Sequence, residues 1–398
     1  MNNDIKERIK QINFGVIPSG YKKTEIGISP LDWKKYELGD LLSFKNGINA
    51  DKEKFGTGIK LISVNDILAE KPIIYDNIIG SVDIDEKILA NYSVTYGDIL
   101  FQRSSENFDD AGKSNVYLDA NNTATYSGFV IRGKKIAEYN PNYLNELLKT
   151  YKIRKQIIRY AAGSQHINVG QESLSKVVLY IASDKEQKKI VEILSSWDEV
   201  IMLQEKLLER LKLQRNAIMQ KLLMPRNGWK KVMLGEICSI TTGKMDANAM
   251  QENGNYPFFT CAKETYTIDE YAFDCEALLI AGNGDIGDIK YYSGKFNAYQ
   301  RTYVLRDFTF PIKYIMYYLE KNFEKEICFG TQKSSMPYIK LETLLKAKIY
   351  YNSDEIEGVI KVMDCLDSFI EKQVQKLSKL QQQQKVLRQM LLMGVVRV

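Results

Sequence analysis

Along residues 183–224 the apolar side chains return every three or four positions, a spacing kept for about eleven helical turns. Ile201, Leu208 and Leu222 share one heptad position and Leu211 and Ile218 the other, while Glu205, Lys206, Glu209, Arg210, Lys212 and Lys221 fill the solvated faces. The pattern predicts one long helix, and a stripe this narrow needs a partner helix to cover it. Asp184 with Gln187 three residues on resembles a capping box at its start, and Pro225 and Gly228 mark its end.

The partner is written in the same chain. A shift of 169 positions aligns Asp198 with Asp367, Ile201 with Ile370, Gln204 with Gln373, Leu208 with Leu377 and Leu211 with Leu380. Gln214 then meets Gln383, Gln220 meets Gln389, and Leu222-Leu223-Met224 meets Leu391-Leu392-Met393. Asp354 and Glu357 repeat the start signal, so two equivalent long helices are expected.

Each helix follows a module that opens alike. Trp33-Lys34-Lys35-Tyr36-Glu37-Leu38-Gly39-Asp40 returns 196 positions later as Trp229-Lys230-Lys231-Val232-Met233-Leu234-Gly235-Glu236, a register that also aligns Ser43 with Ser239 and Gly47 with Gly243. The predicted order is an N-terminal arm (1–22), a first module (23–182), a first helix (183–224), a second module (225–352) and a second helix (353–398). Val94–Phe101 and Gly128–Ile131 read as strands and Pro141–Tyr160 as a helix in the first module; Ala277–Ala281 and Thr302–Leu305 as strands and Ile312–Phe323 as a helix in the second. Both modules are therefore mixed α/β, and each ends near a Gly-hydroxyl-Gln sequence, Gly163-Ser164-Gln165 and Gly330-Thr331-Gln332.

Composition narrows the class without adding chemistry. With 44% hydrophobic and 26% charged residues the chain is of folded, soluble type, and no apolar run approaches the roughly 20 residues of a membrane span. The polar segment from Met1 to Arg8 carries no secretory signal, so a cytoplasmic protein is expected. Cys238, Cys261, Cys275, Cys328 and Cys365 are odd in number and widely spaced, which points to reduced thiols. A net charge of +5 permits a polyanionic partner, with any basic surface local.

Catalytic motifs fail on inspection. His166, the single histidine, has no evident Ser or Cys partner nearby in sequence. Gly282-Asn283-Gly284-Asp285-Ile286-Gly287 has dinucleotide-binding spacing but runs into Lys290-Tyr291-Tyr292, a strand where a phosphate site needs a helix, and reads as a hairpin loop. Asn140-Pro141-Asn142-Tyr143 departs from the Asn-Pro-Pro-Tyr of adenine methyltransferases and reads as a helix start; Glu186-Gln187-Lys188 has no Pro-Asp strand before it; Gly112-Lys113-Ser114 lacks the earlier glycine of a phosphate loop. No catalytic residue, cofactor site or metal site is expected in this chain.

Two variable modules alternating with two similar helices, each module opened by Trp-Lys-Lys-x-x-Leu-Gly-acid, resemble the specificity subunit of Type I restriction-modification systems. Gly97-Asp98-Ile99-Leu100 with Gln102-Arg103-Ser104, Ala277–Gly284 and the two Gly-Ser/Thr-Gln turns add to the likeness, which covers essentially the whole chain. The resemblance implies an α+β protein of two target-recognition domains separated by two long antiparallel helices, a coiled-coil spacer with a pseudo-twofold internal repeat. It implies a non-catalytic reader of a bipartite, asymmetric double-stranded DNA target that recruits two methyltransferase subunits and, in complete systems, nuclease/translocase subunits. S-adenosylmethionine, ATP and Mg belong on those partners. A double-headed nucleic-acid-binding scaffold without a modification partner is the alternative.

On that reading the DNA contacts are expected from donor-rich loops: Lys45, Asn46, Arg103, Ser104, Gln165, His166 and Asn168 in the first module, and Lys244, Asn283, Gln300, Arg301, Gln332, Lys333 and Tyr338 in the second. The spacer contacts are expected from Ile201, Leu208, Leu211 and Ile218 against Ile370, Leu377, Leu380 and Leu387. Matching polar layers predicts Leu208 beside Leu380, Leu211 beside Leu377, Gln204 beside Gln384 and Arg215 beside Gln373. The core from Ile201 to Leu222 rises about 32 Å, close to the roughly 34 Å of one DNA turn, so the spacer is expected to act as a ruler.

Overall fold

The structure, a computed structural model, describes residues 3–163, 165–326 and 338–398. They divide into two compact units, residues 1–202 with 378–398, and residues 203–377. The division falls across both long helices, Asp184–Leu222 and Ile356–Leu392.

The repeated opening sequence has a structural reason at nearly every position. In the first unit Lys34–Glu37 pairs antiparallel with the module's closing strand, Val178–Ile181, and in the second Lys230–Met233 pairs with Lys348–Tyr351. Leu38 and Leu234 are fully buried, and their N–H groups donate to Val177 O (2.8 Å) and Ala347 O (2.9 Å). The acid two residues on caps the short helix, Asp40 accepting from Glu37 N and Glu236 from Met233 N, both at 2.8 Å. Gly39 and Gly235 lie where a Cβ would stand about 3 Å from Ser175 and Leu345, so the glycine lets the helices Gln171–Ser175 and Leu341–Leu345 close against the opening.

Behind the opening, the first unit carries an antiparallel four-stranded sheet in the order Leu42–Asn46, Val130–Lys135, Ile99–Gln102, Ser114–Val116. The second unit repeats this core as Ser239–Thr242, Thr302–Arg306, Phe273–Ala281, Ile289–Ala298 and extends it with Tyr256–Phe259 and Tyr266–Ile268. The strand expected over Val94–Phe101 begins only at Ile99, because Gly97 turns the chain at φ +90°. The helix expected over Pro141–Tyr160 is two, Pro141–Leu148 and Tyr151–Arg159: Thr150 is extended and its hydroxyl donates to Leu147 O at 2.7 Å.

Each unit buries the start of one long helix with the end of the other. Ile190 and Leu194 share the first core with Leu391 and Leu392; Met219 and Leu223 share the second with Val359 and Met363. The helices run antiparallel in both. In the first unit Asp198 accepts from Gln384 Nε2 (2.5 Å) and Arg388 Nη2 (3.0 Å), while Glu186, earlier in its helix, accepts from the later Arg397. In the second, Gln204 Nε2 donates to Gln373 Oε1 at 2.9 Å and Arg215 holds the earlier Asp367.

Ile201, Leu208, Leu211, Ile218, Ile370, Leu377, Leu380 and Leu387 are all half-buried on the covered faces. The expected register, however, is wrong: Gln204 meets Gln373, not Gln384, and Arg215 meets Asp367, not Gln373, so the partners fall 11 and 6 residues earlier in the second helix than expected. Polar groups do meet polar groups, but the acids Asp198 and Asp367 satisfy Gln384 and Arg215, so those two need no amide opposite. The start signal is also reassigned. Ser183 caps the first helix, its Oγ accepting from Glu186 N at 3.4 Å, while the Gln187 amide is buried between Ala182 O and Asn140 N, each at 2.9 Å.

The arm closes on the C-terminus within the first unit. Tyr21 donates to Gly394 O at 2.7 Å, and Arg397 grips Asp32 and the buried Glu186, which also accepts from Trp33 Nε1 at 3.0 Å. Glu186 of the Glu-x-Lys sequence is thus a structural anchor.

Candidate nucleic-acid interface

The described loops among those singled out in the sequence gather at one end of the central sheet in each module, and four backbone hydrogen bonds frame that end in the same way. In the first module Gly47 N donates to Val130 O (3.0 Å), Val130 N to Ser127 O (2.9 Å), Arg103 N to Phe129 O (2.9 Å) and Val169 N to Arg103 O (3.0 Å). In the second Gly243 N donates to Thr302 O (3.2 Å), Thr302 N to Tyr299 O (2.8 Å), Gly282 N to Arg301 O (3.0 Å) and Ile339 N to Gly282 O (2.8 Å). Gly47 and Gly243 are required: a Cβ would fall 2.1 Å from Ser127 O and 1.9 Å from Ala298 O.

This frame assigns equivalences that the sequence hid. Arg103 corresponds to Gly282, Ser104 to Asn283, Asn168 to Tyr338, and Arg301 to Phe129. Arg103 and Arg301, the two arginines among the expected contacts, therefore occupy different places in their modules. Phe129, which sequence reasoning passed over, is 66% exposed at the tip of its turn. Its only signal was position, four residues past the strand pairing of Thr125 with Leu61, with no side-chain identity to Arg301.

The remaining predicted residues differ in freedom. Ser104 Oγ donates to Asn168 Oδ1 at 2.5 Å across the pairing of Ser104–Ser105 with Ile167–Asn168, and Asn168 Nδ2 donates to His166 O at 3.1 Å. Gln165 and His166 are exposed on that turn, where Gly163, at φ +140°, leaves room for His166 O. Arg103 Nη1 donates to Gly128 O at 3.2 Å and is half-buried. Lys45 is engaged elsewhere: its ammonium donates to Asn91 O at 3.1 Å and lies 4.1 Å from the Tyr92 ring centre. Asn46 pairs with Ile131 in the sheet. In the second module Lys244, Gln300 and Arg301 are exposed, Asn283 is half-buried in the hairpin loop, and Tyr338 is exposed beside Ile339. Gln332 and Lys333, with the rest of the Gly330-Thr331-Gln332 sequence and Ser164, lie outside the described residues.

At the opposite end of the strand Ile99–Gln102, Asp98 accepts from Thr95 N (3.0 Å) and Lys135 N (2.9 Å), and its burial pushes the carboxyl above its ordinary range. The loop Gly282–Gly287 joins two antiparallel strands, with Gly284 and Gly287 at positive φ and Asp285 N donating to Cys261 O at 3.1 Å. Among the described residues no group of three or more His, Cys, Asp or Glu side chains could hold a metal ion, and no helix is long and apolar enough to cross a membrane.

Both modules thus carry the same backbone frame, with Gln165 and His166 exposed beside it in the first and Lys244, Gln300 and Arg301 exposed beside it in the second. The chain belongs to the family described as the Type I restriction modification DNA specificity domain, whose profile matches residues 30–213 and 226–384. Among its relatives, the Type I restriction enzyme EcoDI specificity subunit of Escherichia coli is 39% identical over 165 residues, 41% of this chain and 37% of that protein. A putative type I restriction enzyme MjaX specificity subunit of Methanocaldococcus jannaschii is 29% identical over 235 residues, 54% of this chain and 52% of its own. The matched stretches thus span about half the length of these relatives or less. The fold is that of the Type I restriction-modification S subunit of M. genitalium, at TM-score 0.51 and 17% identity over 90% of this chain and 96% of that one. It is also that of a chain from a structure of complex assembly in the type I R-M system, at TM-score 0.64 and 14% identity over 92% and 99%.

Proposed function

We propose that this chain is the DNA-reading subunit of a Type I restriction-modification complex: each module reads one half of a bipartite, asymmetric target, and the long helices recruit the methyltransferase subunits. The observation that carries the reading is the doubled frame with unlike side chains on it. Phe129, Arg103 and Asn168 stand in the first module where Arg301, Gly282 and Tyr338 stand in the second. One scaffold with two chemistries suits two different half-sites.

Recruitment is supported by apolar residues left on the outer faces of the helices. Val200 (47% exposed) and its repeat counterpart Phe369 (45%) both face solvent, as do Leu203, Leu207 and Leu213. Methyl transfer from S-adenosylmethionine, and ATP- and Mg-dependent cleavage, fall to the partner subunits. The complex works where the chromosome is, in the cytoplasm. Co-purification of the tagged chain with a Type I methyltransferase subunit, followed by gel shift on genomic fragments, tests this. Capture of two methyltransferase copies with sequence-selective binding supports it; DNA binding without capture favours a double-headed scaffold, and a chain that shows no capture and no DNA binding overturns both readings.

A further inference from the structure

Phe129 keeps most of its ring in water, against the hydrophobic effect, on a turn that cannot fold it away. Gly47 closes on Ser127, Arg103 N and its guanidinium hold Phe129 O and Gly128 O, and a Cβ at Gly128 would fall 1.8 Å from Asn49 Oδ1. A lone exposed apolar residue is commonplace. What sets this one apart is its counterpart: the same framed position in the second module holds the exposed cation Arg301.

We propose that this position contacts a base in both modules, and that Phe129 reads a thymine by packing its ring against the 5-methyl group in the major groove. The proposal rests on the DNA-reading function above. A phenyl ring neither donates nor accepts, so it cannot read the hydrogen-bonding pattern of a base edge. The apolar group that a base presents in the major groove is the thymine methyl. Arg103, whose N–H and guanidinium hold the turn that carries Phe129, and the next residue Ser104, bonded to Asn168, put polar groups of the kind that contact phosphates and base edges on the same edge of the sheet. Arg301, a side chain of the type that most often reads guanine, gives the second module a different base at the matching place.

The test uses the chain in complex with its methyltransferase subunits, once mapping of methylated adenines has defined the target. Thymines of the target are replaced one at a time by uracil, which lacks only the methyl, and affinity is measured by fluorescence anisotropy for wild type, Phe129→Ala and Phe129→Leu. One thymine-to-uracil change should weaken wild type about fourfold, the worth of one buried methyl-sized group. Phe129→Ala should bind both duplexes equally, Phe129→Leu should keep part of the difference, and all three should unfold at the same temperature. Wild type that tolerates every uracil, a target without thymine in the half-site, or Phe129→Ala that still discriminates overturns the proposal. A complex that selects no DNA sequence overturns the DNA-reading function with it, so the two failures are distinct.

Discussion

Gln204 and Gln373, each the other's counterpart in the internal repeat, meet amide to amide at 2.9 Å in the second unit. Gln204 is 6% exposed, the most buried stripe position in its stretch of helix, and a buried amide needs such a partner. A residue that touches its own repeat copy marks the centre of an antiparallel pairing. The bonds on either side obey the same relation: Arg215–Asp367 in one unit and Gln384–Asp198 in the other are repeat counterparts.

Replacing Gln204 alone by Leu leaves the Gln373 amide unpaired and should cost about 1–3 kcal/mol in urea unfolding. Replacing both by Leu should recover most of that loss, because the apolar pair closes the stripe. Equal stability for single and double variants would contradict the pairing.

Arg215 binds Glu320 and Asp367 at once through its planar fork, with its side chain 13% exposed. Arg215→Ala should cost about 1–2 kcal/mol, allowing for solvent screening of the two carboxylates. Arg215→Lys should fail to restore it, since a single ammonium cannot reproduce the forked bonds. The check is chemical denaturation of the three proteins.

These two predictions mark where the sequence stopped being legible. The helices and the opening motif were readable because the repeat preserves side chains, Leu38 with Leu234 and Gly39 with Gly235, that the packing demands. The register was not, because it turns on Asp198 and Asp367 beside the stripe and on Glu320 from a module helix 105 residues away. The reading edge was half legible: Arg301, Gln300 and Lys244 advertise themselves by charge or amide, but the equivalence of Phe129 with Arg301 is carried by backbone bonds.

Gly47→Ala should disturb reading by the first module while sparing the second, since its Cβ would collide with Ser127 O beneath the reading turn. Gly243→Ala should do the converse through Ala298 O. Binding to duplexes mutated in one half-site at a time measures this, and a variant that loses both halves equally would argue against independent modules.

Arg301→Ala should weaken specific binding by about 1–3 kcal/mol and relax preference at one base pair of the target. Loss that is uniform across sequences, with the salt slope lowered by about one, would reassign Arg301 to a phosphate.

The most direct measurement of the central claim is a map of methylated adenines in cells expressing this chain with a Type I methyltransferase subunit, repeated with Gly47→Ala and Arg301→Ala. The account predicts one bipartite, asymmetric motif, degraded in one half by the first substitution and in the other half by the second. A single continuous motif, or a motif that neither substitution alters, would contradict it.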